Sequence, residues 1–275
     1  MKIVFILSTV FCILYSIFMT QRNIKLTIQY DGSRYSGWQK QPGRKTIEAE
    51  LVSAIENLIC RDNVEVNGSS RTDAGVSALG QVANVRLDTP IPTDRLAKAI
   101  SMYLPAQIVV TEAVDVPDEF DAIKYTKSKM YRYSIYTGKT RPVMQVHHCW
   151  HRPGKLDVEA MNQAGQKFVG EKNFKSFATA CDKRLSSVRT IFLCDVTQED
   201  QPVATRLHRG EWIYIDVEAN GFLYNMVRNI VGTLVEIGRG RWQPEKIDEI
   251  LEAQKRTAAG PIAPANGLCL MWIKY

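Results

Sequence analysis

No two of the six cysteines form a C-x-x-C pair. Cys12, Cys60, Cys149, Cys181, Cys194 and Cys269 are scattered across 275 residues. That excludes a paired-cysteine metal or redox motif and suits reduced, mostly buried thiols of a cytoplasmic protein. Only four histidines are present. Three of them, His147, His148 and His151, crowd around Cys149, but no second ligand cluster with metal-site spacing exists. Val146 and Trp150 suit a strand there, so no metal is expected. The Gly-rich turn of a nucleotide-binding fold is missing, and no internal repeat is visible. Charged residues make up 23% and hydrophobic residues 45%, which excludes wholesale disorder and allows a substantial core. The formal net charge of +6 is compatible with a polyanionic partner without being diagnostic of one.

The one long apolar run, Ile3 to Met19, is interrupted only by Ser8, Thr9 and Ser16. As a helix it spans about 26 Å, short of a ~30 Å hydrocarbon core. No small-x-small cleavage site follows it. Residues 1–21 are therefore set apart as a leader: either synthesis begins at Met19, which is the favoured reading, or the segment is a signal or anchor.

Period-two alternation marks strands at Ile24–Tyr30, Val64–Val66, Gln81–Leu87, Ile108–Val110, Lys129–Tyr136, Val188–Val196, Trp212–Val217 and Leu268–Lys274. Helices are expected from Thr46 as N-cap, from Asp94 to Tyr103 behind Thr93, from Asp157 through Phe168, from Phe222 to Ile237 and from about Pro244. This order gives an α+β (α/β) fold in which two related halves, 22–118 and 119–275, share a mixed, largely antiparallel sheet flanked by helices.

Chemistry concentrates in Ser69-Ser70-Arg71-Thr72-Asp73-Ala74-Gly75-Val76, a loop between strands. Such a loop can hold Asp73 charged and aimed in a cleft, as a nucleophilic or general-base carboxylate requires. Aspartate is also an ordinary turn residue. On the helix expected over 222–237, Gly221, Asn225, Arg228 and Gly232 line one edge. A guanidinium flanked by glycines suits a clamp on a buried carboxylate or phosphate; without an acidic partner it is a solvated surface arginine. The segment Tyr30 to Gln41 interleaves aromatics, cations and amides. Arg34, Trp38, Gln39 and Lys40 there are candidate RNA contacts. A Gly-rich hairpin with buried aromatics has the same composition. Tyr131 is either a sheet-face core residue or a ring that stacks on a base.

Seven motifs occur in order: Tyr30-Asp31-Gly32 with Gly37-Trp38-Gln39, Arg71 to Val76, Tyr131-Arg132-Tyr133, Asn173-Phe174 with Ser176-Phe177, Val188-Arg189, Met226 to Asn229, and Gly267-Leu268. Together they resemble the tRNA pseudouridine synthase A family from Arg22 to Tyr275. The resemblance implies a pseudouridine-synthase-like fold and isomerisation of uridines at positions 38 to 40 of the anticodon stem-loop. It implies that Asp73 is the catalytic aspartate, that Arg71 helps displace the target nucleotide, that Tyr131 packs against the uracil, and that Arg228 pairs with the aspartate. A nearby arginine lowers an aspartate pKa and so favours the charged form. The resemblance further implies a homodimer that binds tRNA across both subunits, in the cytoplasm, with no metal or cofactor. A non-catalytic RNA-binding protein and a synthase acting on another RNA site are the alternatives. Two positions and one short segment depart from the family pattern. Ser70 stands where glycine is frequent, Ser77 where bacterial members often have histidine, and Phe120-Asp121-Ala122-Ile123 where Phe-His-Ala-Arg is usual.

Overall fold

The computed structural model describes residues 21–179, 185–199 and 211–275. The leader reading, apart from Gln21, lies outside them. Among the described residues no helix is long and apolar enough to cross a membrane.

Ten strands build one sheet. The first five are β1 (Arg22–Tyr30), β2 (Val66–Gly68), β3 (Ser77–Leu87), β4 (Ile108–Val116) and β5 (Ser128–Tyr136). The others are β6 (Trp150–His151), β7 (Gly170–Asn173), β8 (Val188–Glu199), β9 (Trp212–Ala219) and β10 (Leu268–Lys274). Among the described residues five α-helices accompany them: α1 (Ile47–Ile59), α2 (Thr93–Ser101), α3 (Val158–Gln166), α4 (Met226–Gly238) and α5 (Lys246–Ala253). The strand order is β4-β1-β3-β10-β5-β9-β8-β7, with β2 on β3 and β6 on β5. Pairing is antiparallel except where β10 meets β3 and β6 meets β5. This is the mixed, largely antiparallel α+β architecture that the alternating elements imply.

Alternation along β1 buries Ile24, Leu26 and Ile28, and along β5 it buries Tyr131, Tyr133 and Ile135. Side chains of successive strand residues point to opposite faces, so each strand gives one apolar row to the core. The helices return the complementary rows, among them Ile47, Leu51 and Ile55 of α1 and Ile230 and Leu234 of α4, in one continuous cluster. On the other side of β5, Arg132 faces Asp216 across the ladder and grips it bidentately, at 2.8 and 2.7 Å.

Several element boundaries differ from the sequence expectation. The strand expected at Val64–Val66 is displaced to Val66–Gly68, where Asn67 donates to Asn84 Oδ1 at 3.3 Å. Thr93 does not cap α2 but is its first residue, because its hydroxyl is engaged by Arg22 and Asp115 instead. That helix stops at Ser101, two residues before Tyr103. Phe168 lies beyond the end of α3, yet is fully buried. Thr46 does stand at the N-cap of α1, without a side-chain capping bond. The largest departure is in α4, which begins at Met226 rather than Phe222. Asn225 takes the left-handed conformation at φ 61°, which asparagine tolerates better than most residues and which no α-helix can pass through. Gly221 and Asn225 therefore leave the helical edge on which sequence spacing had put them.

Candidate active site

A cleft of about 1240 Å³ opens between the β2–β3 loop and the segment that leads into α4. Asp73, Arg71, Tyr131, Phe222 and Arg228 all line it. The loop carrying Asp73 is braced from below by the segment that follows β1. Trp38 N–H donates to Thr72 O at 3.0 Å, and Gly75 N–H donates to Tyr35 O at 3.3 Å. Gly37 makes that brace possible. It sits at φ 94°, and a Cβ there would fall 2.7 Å from Thr72 O. Gly75, at φ 82°, turns the chain out of the loop, while Val76 N–H returns to Asp73 O at 3.1 Å.

Asp73 and Arg228 meet at the cleft floor. Nη1 of Arg228 lies 3.4 Å from Asp73 Oδ2, with side-chain exposures of 17% and 21% for the arginine and the aspartate. The guanidinium is held elsewhere by shorter bonds: Nε donates to Ala263 O at 2.8 Å and Nη1 to Asn225 Oδ1 at 2.9 Å. Asn225 is fixed in turn by donating to Thr179 Oγ1 at 2.9 Å. Arg228 is thus aimed by its own supports, and the carboxylate is the looser partner. Arg228 lowers the Asp73 pKa through its charge and its hydrogen bond, as expected of a nearby arginine. Burial, which the sequence does not reveal, raises that pKa by more, so the net shift is above the usual aspartate value.

Tyr131 is 6% exposed, with its ring edge-on to Phe222 at 5.2 Å. Its hydroxyl lies 2.8 Å from Ser70 Oγ. Burial pushes the phenol up to about 12. Arg71 is exposed on the same cleft. Of the four candidate RNA contacts after β1, the structure brings only Trp38 and Gln39 to the cleft, and they differ in kind. Trp38 is 2% exposed and packs on Tyr30, with Gly68 so close that a Cβ would meet its indole at 2.3 Å. Tyr30 and Tyr35 are buried as well, so the segment is a loop with buried aromatics that opens on a short 3-10 turn at Gly32–Arg34. Gln39 is exposed, whereas Arg34 and Lys40 are exposed but stand outside the cleft lining.

His147, His148, Cys149 and His151 do not converge as a ligand set. Cys149 is buried, His151 Nε2 bonds Gly138 O at 2.8 Å, and His148 approaches Asp31 at 4.0 Å. Among the described residues no three His, Cys, Asp or Glu side chains form a metal-binding group. Two of the unusual residues have local structural uses. Ser77 Oγ accepts from Gly32 N–H at 3.1 Å, and Asp121 Oδ1 accepts from the amides of Ile123 and Lys124 at 2.8 and 2.9 Å.

Sequence reasoning missed Gln81, Thr72 and Lys129. Gln81 is fully buried and lies amid Ala78, Val82 and Ala83, where an uncharged amide is costly unless every polar atom is paired. That anomaly was visible in the strand. Lys129, whose ammonium donates to Ser69 O, carried no such signal.

A family model described as tRNA pseudouridine synthase matches residues 26–125 and 164–275 of the chain. A protein of Caldicellulosiruptor saccharolyticus named tRNA pseudouridine synthase A is 42% identical over 254 residues, covering 92% of this chain and all (100%) of its own. Proteins of the same name from Caldicellulosiruptor bescii and Acetivibrio thermocellus are each 41% identical, with the same coverage of 92% and 100%.

Proposed function

The chain belongs to the tRNA pseudouridine synthase family and isomerises uridine to pseudouridine in tRNA; we propose that its targets are the uridines at positions 38, 39 and 40 of the anticodon stem-loop. The reaction breaks the glycosidic C–N bond, turns the uracil and joins it to the same sugar carbon through a ring carbon; that carbon loses its proton and the freed ring nitrogen gains one, so the net change is an isomerisation. A paired target must first leave the stack, which costs a few kcal/mol, and less for a loop nucleotide. Arg71, exposed at the cleft lip, fills the place that the displaced nucleotide vacates. Asp73 supplies negative charge at the sugar, by attack on its carbon, by stabilising that carbon as the bond breaks, or by removing a neighbouring sugar proton. Tyr131 and Phe222 form the apolar wall that keeps the detached uracil from water.

The single observation that supports this reading is the Asp73–Arg228 pair, 3.4 Å apart on a cleft floor shared with Tyr131. A protein that merely binds RNA has no use for a half-buried acid in a basic cleft. Residues 22–118 supply the aspartate loop, and residues 119–275 supply Tyr131, Phe222 and Arg228. Two copies of the chain act together on one tRNA in the cytoplasm, with a native mass about twice the 31.1 kDa of the chain. The deciding experiment incubates tRNA with parent and Asp73→Asn protein and maps pseudouridine. The parent places it at positions 38 to 40; the variant makes none, while binding RNA within about a few-fold, since a neutral isostere leaves phosphate contacts in place. Turnover by the variant, or modification elsewhere in the tRNA, overturns the assignment.

A further inference from the structure

Ser70 is 7% exposed, and its hydroxyl lies 2.8 Å from the Tyr131 hydroxyl and so links the aspartate loop to the opposite wall of the cleft. Ser70 is itself a fixed point. The Gln81 side chain accepts from Ser70 N–H at 3.2 Å and donates to Ser70 O at 2.6 Å, the two-bond pattern of a neighbouring strand. The same amide reaches Tyr30 Oη at 3.4 Å, and Tyr30 Oη lies 2.8 Å from Thr72 Oγ1. Gln81 is fully buried and Ser70, Thr72 and Tyr30 nearly so, so the network has no solvent to exchange partners with. Residues 70 and 72, immediately before the aspartate, are therefore locked to β3 and β1.

Tyr131 is held at two points, with its ring edge against Phe222 and its hydroxyl on Ser70. A phenol ring has two rotatable bonds, and two contacts at opposite ends leave it one tilt. We infer that Ser70 is a positioning residue for the isomerisation, setting the Tyr131 ring against the carboxylate of Asp73 through its hydroxyl. A glycine, frequent at this position in the resembled family, offers no such tether. The inference rests on the proposed place of Tyr131 beside the uracil.

The test compares kcat, KM and melting temperature on tRNA for Ser70→Ala, Ser70→Thr, Tyr131→Phe and the Ser70→Ala/Tyr131→Phe double variant. Ser70→Ala lowers kcat about ten-fold, the scale of one lost hydrogen bond, with KM within about two-fold. Ser70→Thr, which keeps the hydroxyl, restores most of it. The double variant turns over no more slowly than Tyr131→Phe alone, because both changes remove the same bond. A kcat for Ser70→Ala within about two-fold of the parent overturns the inference. So does a loss confined to KM, or multiplication of the two losses in the double variant. If Ser70→Ala does not fold, Tyr131→Phe breaks the bond without touching the loop, and an unchanged kcat there is equally fatal. Asp73→Asn, assayed alongside, separates the two levels. If it is inactive while Ser70→Ala is normal, only this inference falls; if it is active, the reading of the whole site falls.

Discussion

Asp73 sits in a conflict between burial, which favours its neutral form, and Arg228, which favours its charged one, and burial wins. Because the native carboxyl holds its proton more tightly than the unfolded chain, ionising it costs stability as pH rises through that window. The role proposed for Asp73 needs the ionised form, so the acid limb of kcat/KM should be displaced upward from the ordinary aspartate value. Arg228→Ala removes the offsetting charge. It should move that limb to higher pH and lower the plateau about a hundred-fold, as loss of an aimed cationic donor does elsewhere. A pH–rate profile of parent and variant checks both; a limb that moves down, or a plateau unchanged, contradicts the electrostatic role. The aspartate loop and its arginine partner were legible through the family resemblance that Arg71 to Val76 and Met226 to Asn229 help to carry; their residues alone fit an ordinary turn and a solvated arginine as well. The net sign of the pKa was not. It depends on how deep the cleft is, and depth is a property of packing between segments 155 residues apart in sequence.

At the scale of elements, α4 shows why a correct periodicity can still misplace a helix start. Phe222, Leu223, Met226 and Ile230 repeat as a helix would, but Phe222 and Leu223 meet the cleft and the core from an irregular segment. A left-handed asparagine ends that segment just before the helix starts. Gly232 on the same helix was legible as a point of close approach, and the structure supplies the reason. A Cβ there would lie 1.7 Å from Pro261 O, in the segment whose Ala263 carbonyl holds Arg228 Nε. Gly232→Ala gains about 1 kcal/mol of helix propensity. Overpacking against rigid backbone outweighs that, and the net loss should be about 2 kcal/mol or more. Urea unfolding measures the loss, and the variant should also turn over more slowly, because the displaced carbonyl no longer aims the guanidinium. A Gly232→Ala protein as stable and active as the parent would mean that segment 261–263 yields freely.

The whole molecule is one sheet only because its last strand lies in the middle. β10 pairs with β3 at Cys269–Ser77 and Leu270–Ala78, and with β5 from Leu268 to Lys274. Sequence patterning identified β10 as a strand but could not seat it, since alternation reveals which face is apolar and not which neighbour is chosen. Leu270, fully buried, should cost about 2–5 kcal/mol as Leu270→Ala. That loss should appear as a single shifted unfolding transition, because the strand joins both groups of elements. Two separate transitions in calorimetry would show that the halves hold together without it. Central placement of the final strand also has a consequence for synthesis. While the chain is still emerging from the ribosome, Ser77 and Ala78, just downstream of the aspartate loop, have no partner on this side. A chain that lacks residues 268–274 therefore has the aspartate loop but not the finished cleft.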